Sequence, residues 1–121
     1  FKELKNANSI LVLTGDTHNS WLNNLYDKNN NFIGVEIGTP AISSPNTIDT
    51  FKSLTKLIEE GFIKENKDEV WIDGKHKGYT MLKLTNDKSE ICFVYVDTVK
   101  SKTYEVIDSN RFYVEPNKPI I

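Results

Sequence analysis

The chain has 121 residues, in which 15 Lys and Arg stand against 17 Asp and Glu, so its formal net charge is −2 at pH 7. This balance argues against a surface that neutralises nucleic-acid phosphates, and no apolar run approaches the roughly 20 residues that a membrane-spanning helix needs. A single cysteine, Cys92, excludes a disulfide within the chain and a cysteine-rich zinc site. We therefore predict no nucleic-acid partner and no transmembrane segment.

The first half of the chain contains two predicted strands. Residues 9–14 form a continuous apolar run, which predicts a strand that is buried on both faces inside a layered sheet. Gly15 breaks this strand, and residues 16–24 are predicted to contain a short helix or irregular turns. Residues 32–37 are predicted to form the second strand, which Gly34 and Glu36 interrupt.

The strongest helix signal follows the second strand. Ser44 is a suitable cap, Pro45 fits the first helical position, and Asp49 suits the first turn. Gly61 is the predicted stop. Four apolar residues recur at helical spacing and predict one buried face: Phe51, Leu54, Leu57 and Ile58.

The second half of the chain is predicted to be mostly strand. Residues 70–72 form a short strand, and residues 79–85 and 90–97 form an antiparallel hairpin across Asn86-Asp87. Both faces of the second hairpin arm are apolar, so this strand is predicted to be central. The tail, about residues 109–121, should be irregular or an edge segment because it contains two prolines.

These elements predict an α+β fold with a mixed or antiparallel sheet and one main helix. One helix covers only one face of a sheet, so we expect residues outside this chain, or a second copy in a dimer, to cover the rest. The sequence begins at Phe1 without a secretory pattern, and we expect it to start inside a longer reading frame.

One short run, Gly15-Asp16-Thr17-His18, carries the clearest chemical signal. Side chains at the carboxyl end of a sheet strand are held reproducibly, and glycine permits a sharp turn beside a ligand. Asp16 and His18 are two residues apart, so in extended chain both would point to one side and could share a metal centre that hydrolyses phosphate esters. On spacing alone, a turn aspartate and a structural histidine remain open alternatives.

The run at residues 12–21 resembles the C-terminal metal-ligand motif of PhoD-type alkaline phosphatases, which is a strand, Gly-Asp-x-His, small polar residues and an aromatic residue. Residues 35–45, 71–79 and 93–99 resemble later segments of the same family in the same order. The similarity extends over about residues 9–106. One departure is Lys77 in Lys77-Gly78-Tyr79, where the family usually has arginine, a change that weakens a bidentate contact.

The resemblance implies the C-terminal portion of a sandwich-like αββα metallophosphatase fold, with residues 1–121 as a fragment of the catalytic domain. It implies hydrolysis of phosphomonoesters and phosphodiesters with iron and calcium, usually after export to the periplasm or the extracellular space. Asp16 and His18 would be metal ligands. The remaining ligands would lie upstream, in the N-terminal part of the same domain, so we expect no further catalytic residue in this chain and no activity from the chain alone.

Several other residues have a structural interpretation. His76 is predicted to be an exposed turn residue, Ser44 a helix cap rather than a phosphate ligand, Tyr79 a core residue and Cys92 inert core. Trp21 could equally cover the ligand loop or fill the core. The competing functions are a non-catalytic α+β binding or structural module and a different metallohydrolase that has the same loop.

Overall fold

The computed structural model describes residues 10–46, 48–107 and 110–120, and it describes only the backbone of residues 49 and 50. Within these residues the chain forms a 3-10 segment at Ile48–Leu54, one α-helix and eight strands. The helix is α1 (Thr55–Glu65). The strands are β1 (Ile10–Thr14), β2 (Ser20–Tyr26), β3 (Phe32–Gly38), β4 (Glu69–Asp73), β5 (Lys77–Leu84), β6 (Ser89–Val96), β7 (Val106–Ile107) and β8 (Arg111–Val114).

The strands form two four-stranded sheets. Sheet A has the order β1-β3-β2-β4, with β1 parallel to β3 and antiparallel pairing elsewhere. In sheet B, β6 pairs with β5 on one edge and with β7 and β8, one after the other, on the opposite edge. The predicted α+β fold with one main helix is confirmed. No helix in the described ranges has both the length and the apolar character needed to cross a bilayer.

A single hydrophobic core joins the two sheets. Its buried members come from both sheets and are Leu22, Val35, Ile37, Ile91, Phe93, Tyr95 and Val114. The rings of Trp71 in sheet A and Phe93 in sheet B have centroids 4.8 Å apart, so aromatic packing connects the layers directly. All residues from Ile91 to Tyr95 are buried, which confirms that β6 is a central strand.

The prediction that residues 9–14 form an interior strand is wrong for the chain as described. β1 lies at the edge of sheet A, where its described hydrogen-bonded neighbour is β3, and the Leu13 side chain is 64% exposed. Ser9 lies outside the described residues. An apolar run indicates that both faces of a strand favour burial, but it does not show which residues cover them. The cover of β1 must come from residues other than those described here.

The predicted short helix or irregular turns at residues 16–24 are correct for residues 16–19, which form an irregular turn, and wrong for residues 20–24, because Ser20–Tyr26 is strand β2. Buried and half-buried positions alternate from Ser20 to Asn24 in this strand. Two of the buried positions are polar, Ser20 and Asn24. The alternation of burial in β2 is therefore not an alternation of apolar and polar residues, so a search for apolar periodicity does not detect this strand.

The predicted helix exists, but its bounds and its buried face are wrong. α1 begins at Thr55 rather than near Ser44, and it continues past Gly61 to Glu65. The 3-10 segment before it contains Lys52 at φ 36°, a kink that breaks the helical period. The predicted apolar face is not buried within this chain, since Leu57 is 65% exposed and Phe51 and Leu54 are also exposed. The predicted role of the Asp49 side chain lies outside the described residues.

The C-terminal tail was predicted to be irregular or an edge segment. Arg111–Val114 forms β8 on the edge of sheet B, and Ser109 and Ile121 lie outside the described residues. Beyond β8, the backbone of Ile120 exchanges two hydrogen bonds with the Asn24 side chain in sheet A, at 2.9 and 3.0 Å. The tail is thus tied to the opposite sheet.

Candidate metal centre

The Gly-Asp-Thr-His run lies in the loop of residues 15–19, between the end of β1 and the start of β2. The last residue of β1 is held by its neighbour strand, because the Thr39 N–H donates to the Thr14 carbonyl at 2.9 Å. The loop therefore begins from a fixed strand end, as the sequence predicted. We call residues 15–19 the ligand loop.

Asp16 occupies a strained position in the ligand loop. Its φ is 74°, and the Thr17 N–H donates to the Gly15 carbonyl at 3.0 Å across it. A hydrogen bond between residues i and i+2 around a positive φ is a γ-turn of the rarer, strained kind. Such strain costs about 1–3 kcal/mol and concentrates at functional sites. The Asp16 side chain is exposed, so its carboxylate is open to a ligand.

His18 is also in the left-handed region, with φ 63°, and it is half-buried. Its Nδ1 lies 2.7 Å from the Pro45 carbonyl oxygen. A carbonyl only accepts, so Nδ1 carries the proton in this contact, and the lone pair is on Nε2. A histidine held in this way has the tautomer and the fixed ring orientation of a metal ligand. The expectation that Asp16 and His18 are presented by extended chain is wrong, because both have left-handed backbones.

The side-chain amide of Asn46 connects the ligand loop to the turn at Gly74. Asn46 is 8% exposed, and its Nδ2 donates to the carbonyls of His18 at 3.2 Å and Gly74 at 2.8 Å. The Gly74 N–H in turn donates to Glu59 Oε1 at 2.8 Å. Burial raises the pKa of Glu59, and the Gly74 hydrogen bond opposes that rise. Helix α1, the turn at Gly74 and the ligand loop are therefore connected by hydrogen bonds.

The ligand loop carries two side chains of the types that bind metal ions. Asp16 supplies a hard carboxylate and His18 an imidazole nitrogen, and neither lies in a closed apolar interior. Across residues 10–46, 48–107 and 110–120, no group of three or more His, Cys, Asp or Glu side chains is arranged to hold a metal ion. Catalytic metal sites use at least about three protein ligands, so these two donors form an incomplete set.

Sequence reasoning missed the pair formed by His76 and Asp73. His76 was predicted to be an exposed turn residue, but it is half-buried, and its Nδ1 lies 2.7 Å from Asp73 Oδ2. Its ring stacks on Tyr95, with centroids 5.1 Å apart. Burial works to raise the pKa of Asp73, but hydrogen bonds from His76 outweigh it and lower that pKa. The spacing of three residues across a glycine turn was the available signal.

The remaining candidates are resolved individually. The Trp21 indole lies on Gly38, where an added Cβ would be 2.3 Å from the ring, so this side chain packs on sheet A. Tyr79 is 49% exposed, which contradicts the core interpretation. Ser44 does not cap α1, whose N-cap residue is Leu54. Cys92 is buried, as expected.

A family model described as PhoD-like phosphatase matches residues 1–93 of the 121. A solved structure described as "Structure of PhoD" matches with a TM-score of 0.72 at 20% sequence identity. The match covers 95% of this chain and 22% of the other, so the chain spans less than a quarter of that protein's length. At this identity the match establishes the fold alone. The search of curated proteins found no match.

Proposed function

The chain belongs to the PhoD-like phosphatase family, and from this premise we propose that it supplies the metal-ligand loop of a metal-dependent enzyme that hydrolyses phosphate esters. Asp16 and His18 are the proposed ligands. The proposed substrates are phosphomonoesters and phosphodiesters, and the proposed ions are iron and calcium. The remaining ligands would come from parts of the protein outside these 121 residues.

The observation that supports this proposal most directly is the bond from His18 Nδ1 to the Pro45 carbonyl. It commits the imidazole to one tautomer and leaves Nε2 as the nitrogen available to an ion. The strained turn at Asp16 adds to this, since the positive φ is retained without a glycine at that position.

The residues of this chain would act by holding and orienting. Asp16 would bind through its carboxylate and lower the net charge of the centre, and Pro45 and Asn46 would keep the His18 ring and backbone from turning away. Bound ions of this kind polarise phosphoryl oxygens and lower the pKa of a bound water. Without the other ligands, we propose that the isolated chain has no phosphatase activity.

Coverage of 22% of the matched PhoD chain supports a contribution from elsewhere in the protein. The exposed Leu13 on the edge strand β1 is where we propose that such a segment packs. Alternatively, a second copy of the chain packs on the same edge of β1 and forms a dimer. Export to the periplasm or the extracellular space stays a prediction from the family resemblance.

The test uses the full-length gene product with Asp16→Asn and His18→Ala as separate variants. We expect each to lose bound metal, measured by elemental analysis, and to lose hydrolysis of nitrophenyl phosphate by about a hundredfold or more. The matched control is Asp87→Asn, an exposed aspartate in the turn between β5 and β6. Full metal content and activity in both ligand variants would refute the assignment.

A further inference from the structure

Glu59 connects helix α1 to the turn between β4 and β5. Its side chain is half-buried, and Oε1 accepts the Gly74 N–H at 2.8 Å. Burial raises the pKa of this carboxyl, and the nearby Asp73 carboxylate raises it further, whereas the hydrogen bond from Gly74 works in the opposite direction. Two effects thus disfavour a carboxylate at this position, and the contact with Gly74 is the one that favours it.

Gly74 is held by contacts on three sides. Its N–H donates to Glu59, and its carbonyl accepts from Asn46 Nδ2 at 2.8 Å. Its Cα lies against the buried side chain of Ile48, because an added Cβ would be 2.5 Å from Ile48 Cδ1. The position of the Gly74 carbonyl therefore depends in part on the acceptor that Glu59 supplies to the N–H of the same residue.

Asn46 and the carbonyl before it contact His18 at two points. The same Nδ2 that donates to Gly74 also donates to the His18 carbonyl at 3.2 Å. The Pro45 carbonyl, which forms the peptide bond to Asn46, accepts from His18 Nδ1 at 2.7 Å. A displacement of Asn46 would therefore change both the backbone position and the ring orientation of His18.

We propose that Glu59 is a positioning residue for the proposed metal centre: it fixes Gly74, and through Asn46 it keeps His18 oriented toward the ion. This inference rests on the proposed function and gives helix α1 a part in orienting that site. It depends on the reach of the Glu59 side chain rather than on its charge, because the group that it binds is a neutral N–H. Substitutions along such a chain of contacts change binding at its far end by about twofold to thirtyfold.

The first test separates reach from charge with two conservative variants of the full-length protein. Glu59→Gln keeps an oxygen acceptor at the same reach without the charge, and Glu59→Asp keeps the charge on a side chain that is one methylene shorter. Glu59→Asp should weaken metal binding about fivefold in a titration, and Glu59→Gln should stay within about twofold of the wild type. The matched control, Glu60→Asp, makes the same change at the next, exposed position and should leave metal affinity unchanged. The opposite order of the two Glu59 variants would overturn the inference.

A double-mutant cycle tests whether Glu59 acts through Asn46. If it does, Asn46→Ala combined with Glu59→Asp should bind metal no more weakly than Asn46→Ala alone, because the connection is already broken. Losses of affinity that multiply would show two independent effects, and the proposed route from Glu59 to His18 would then be wrong.

The tautomer of His18 gives a measurement that needs no metal. In metal-free, full-length protein with ¹⁵N-labelled histidine, the His18 signals are those that disappear in His18→Ala. A single tautomer separates the resonances of the protonated Nδ1 and the bare Nε2, and a mixture of tautomers brings them together. Glu59→Asp should bring them together, and Glu59→Gln should not.

This measurement also separates the inference from the proposed function. If the wild-type protein binds no metal, the proposed function fails, and the ¹⁵N spectra alone decide whether Glu59 orients His18. If Glu59→Asp lowers the urea midpoint of unfolding but changes neither metal affinity nor the His18 resonances, Glu59 only supports the fold and the inference is overturned.

Discussion

Replacing Asn46 with alanine removes the buried amide that joins the ligand loop to the turn at Gly74. The change removes the described hydrogen bonds of this amide, at 3.2 Å to His18 and at 2.8 Å to Gly74. Each contributes about 1 kcal/mol net, and an acceptor left buried without a partner costs about 1–3 kcal/mol. We therefore expect a loss of about 2–3 kcal/mol in the free energy of unfolding. The freed His18 backbone should also weaken metal binding by about tenfold or more.

Urea unfolding of the full-length protein gives the first quantity, and metal titration gives the second. The matched control is Asn66→Ala, because the exposed Asn66 amide donates to the Phe62 carbonyl at 2.9 Å and to Glu69 Oε2 at 3.5 Å, both away from the ligand loop. Its expected cost stays within about 0.5 kcal/mol, and metal affinity should not change. If Asn46→Ala binds metal as tightly as the wild type while losing stability, the amide supports the fold but does not orient His18.

Two further predictions concern other parts of the chain. Asn24→Ala should lower the free energy of unfolding by about 2 kcal/mol and speed hydrogen exchange at the Ile120 amide, with Asn86→Ala in an exposed turn as control; unchanged exchange would contradict the clamp. The pKa of Asp73 is lowered from 3.8 because hydrogen bonds from His76 outweigh the effect of burial. The ionised Asp73 carboxylate therefore stabilises the folded state above pH 3.8, and this stabilisation is lost as the pH falls through the lower pKa of the folded state. Urea unfolding from about pH 2 to 6 should show a shallower acid dependence in Asp73→Asn, and identical slopes would rule this out.

The elements that sequence predicted well are those in which apolar periodicity carries the burial. β6 has apolar side chains on both faces. In the structure it lies between β5 on one edge and β7 and β8 on the other, and its residues Ile91 through Tyr95 are buried. β2 was missed because two of its buried positions are Ser20 and Asn24. Burial of Asn24 depends on its bonds to Ile120, 96 residues away, and no local pattern encodes such a partner.

The candidate site divides in a similar way. Its residues could be identified, because Gly15-Asp16-Thr17-His18 follows an apolar strand and resembles a known motif. Its geometry could not, because the groups that hold His18 come from Pro45 and Asn46, 27 and 28 residues later. The left-handed backbone at Asp16 also escapes pattern reasoning, since aspartate adopts this conformation in some turns and the ordinary right-handed or extended one in most others.

The division of the strands between the two sheets has a consequence for synthesis. All pairings of sheet A use residues before the turn at Gly74, and all pairings of sheet B use residues after it. During translation, the ladder of sheet A can close while the strands of sheet B are still inside the ribosome. The apolar face of sheet A, with Leu22 and Ile37, then stays exposed to solvent until β6 emerges. During this interval the uncovered apolar surface favours aggregation.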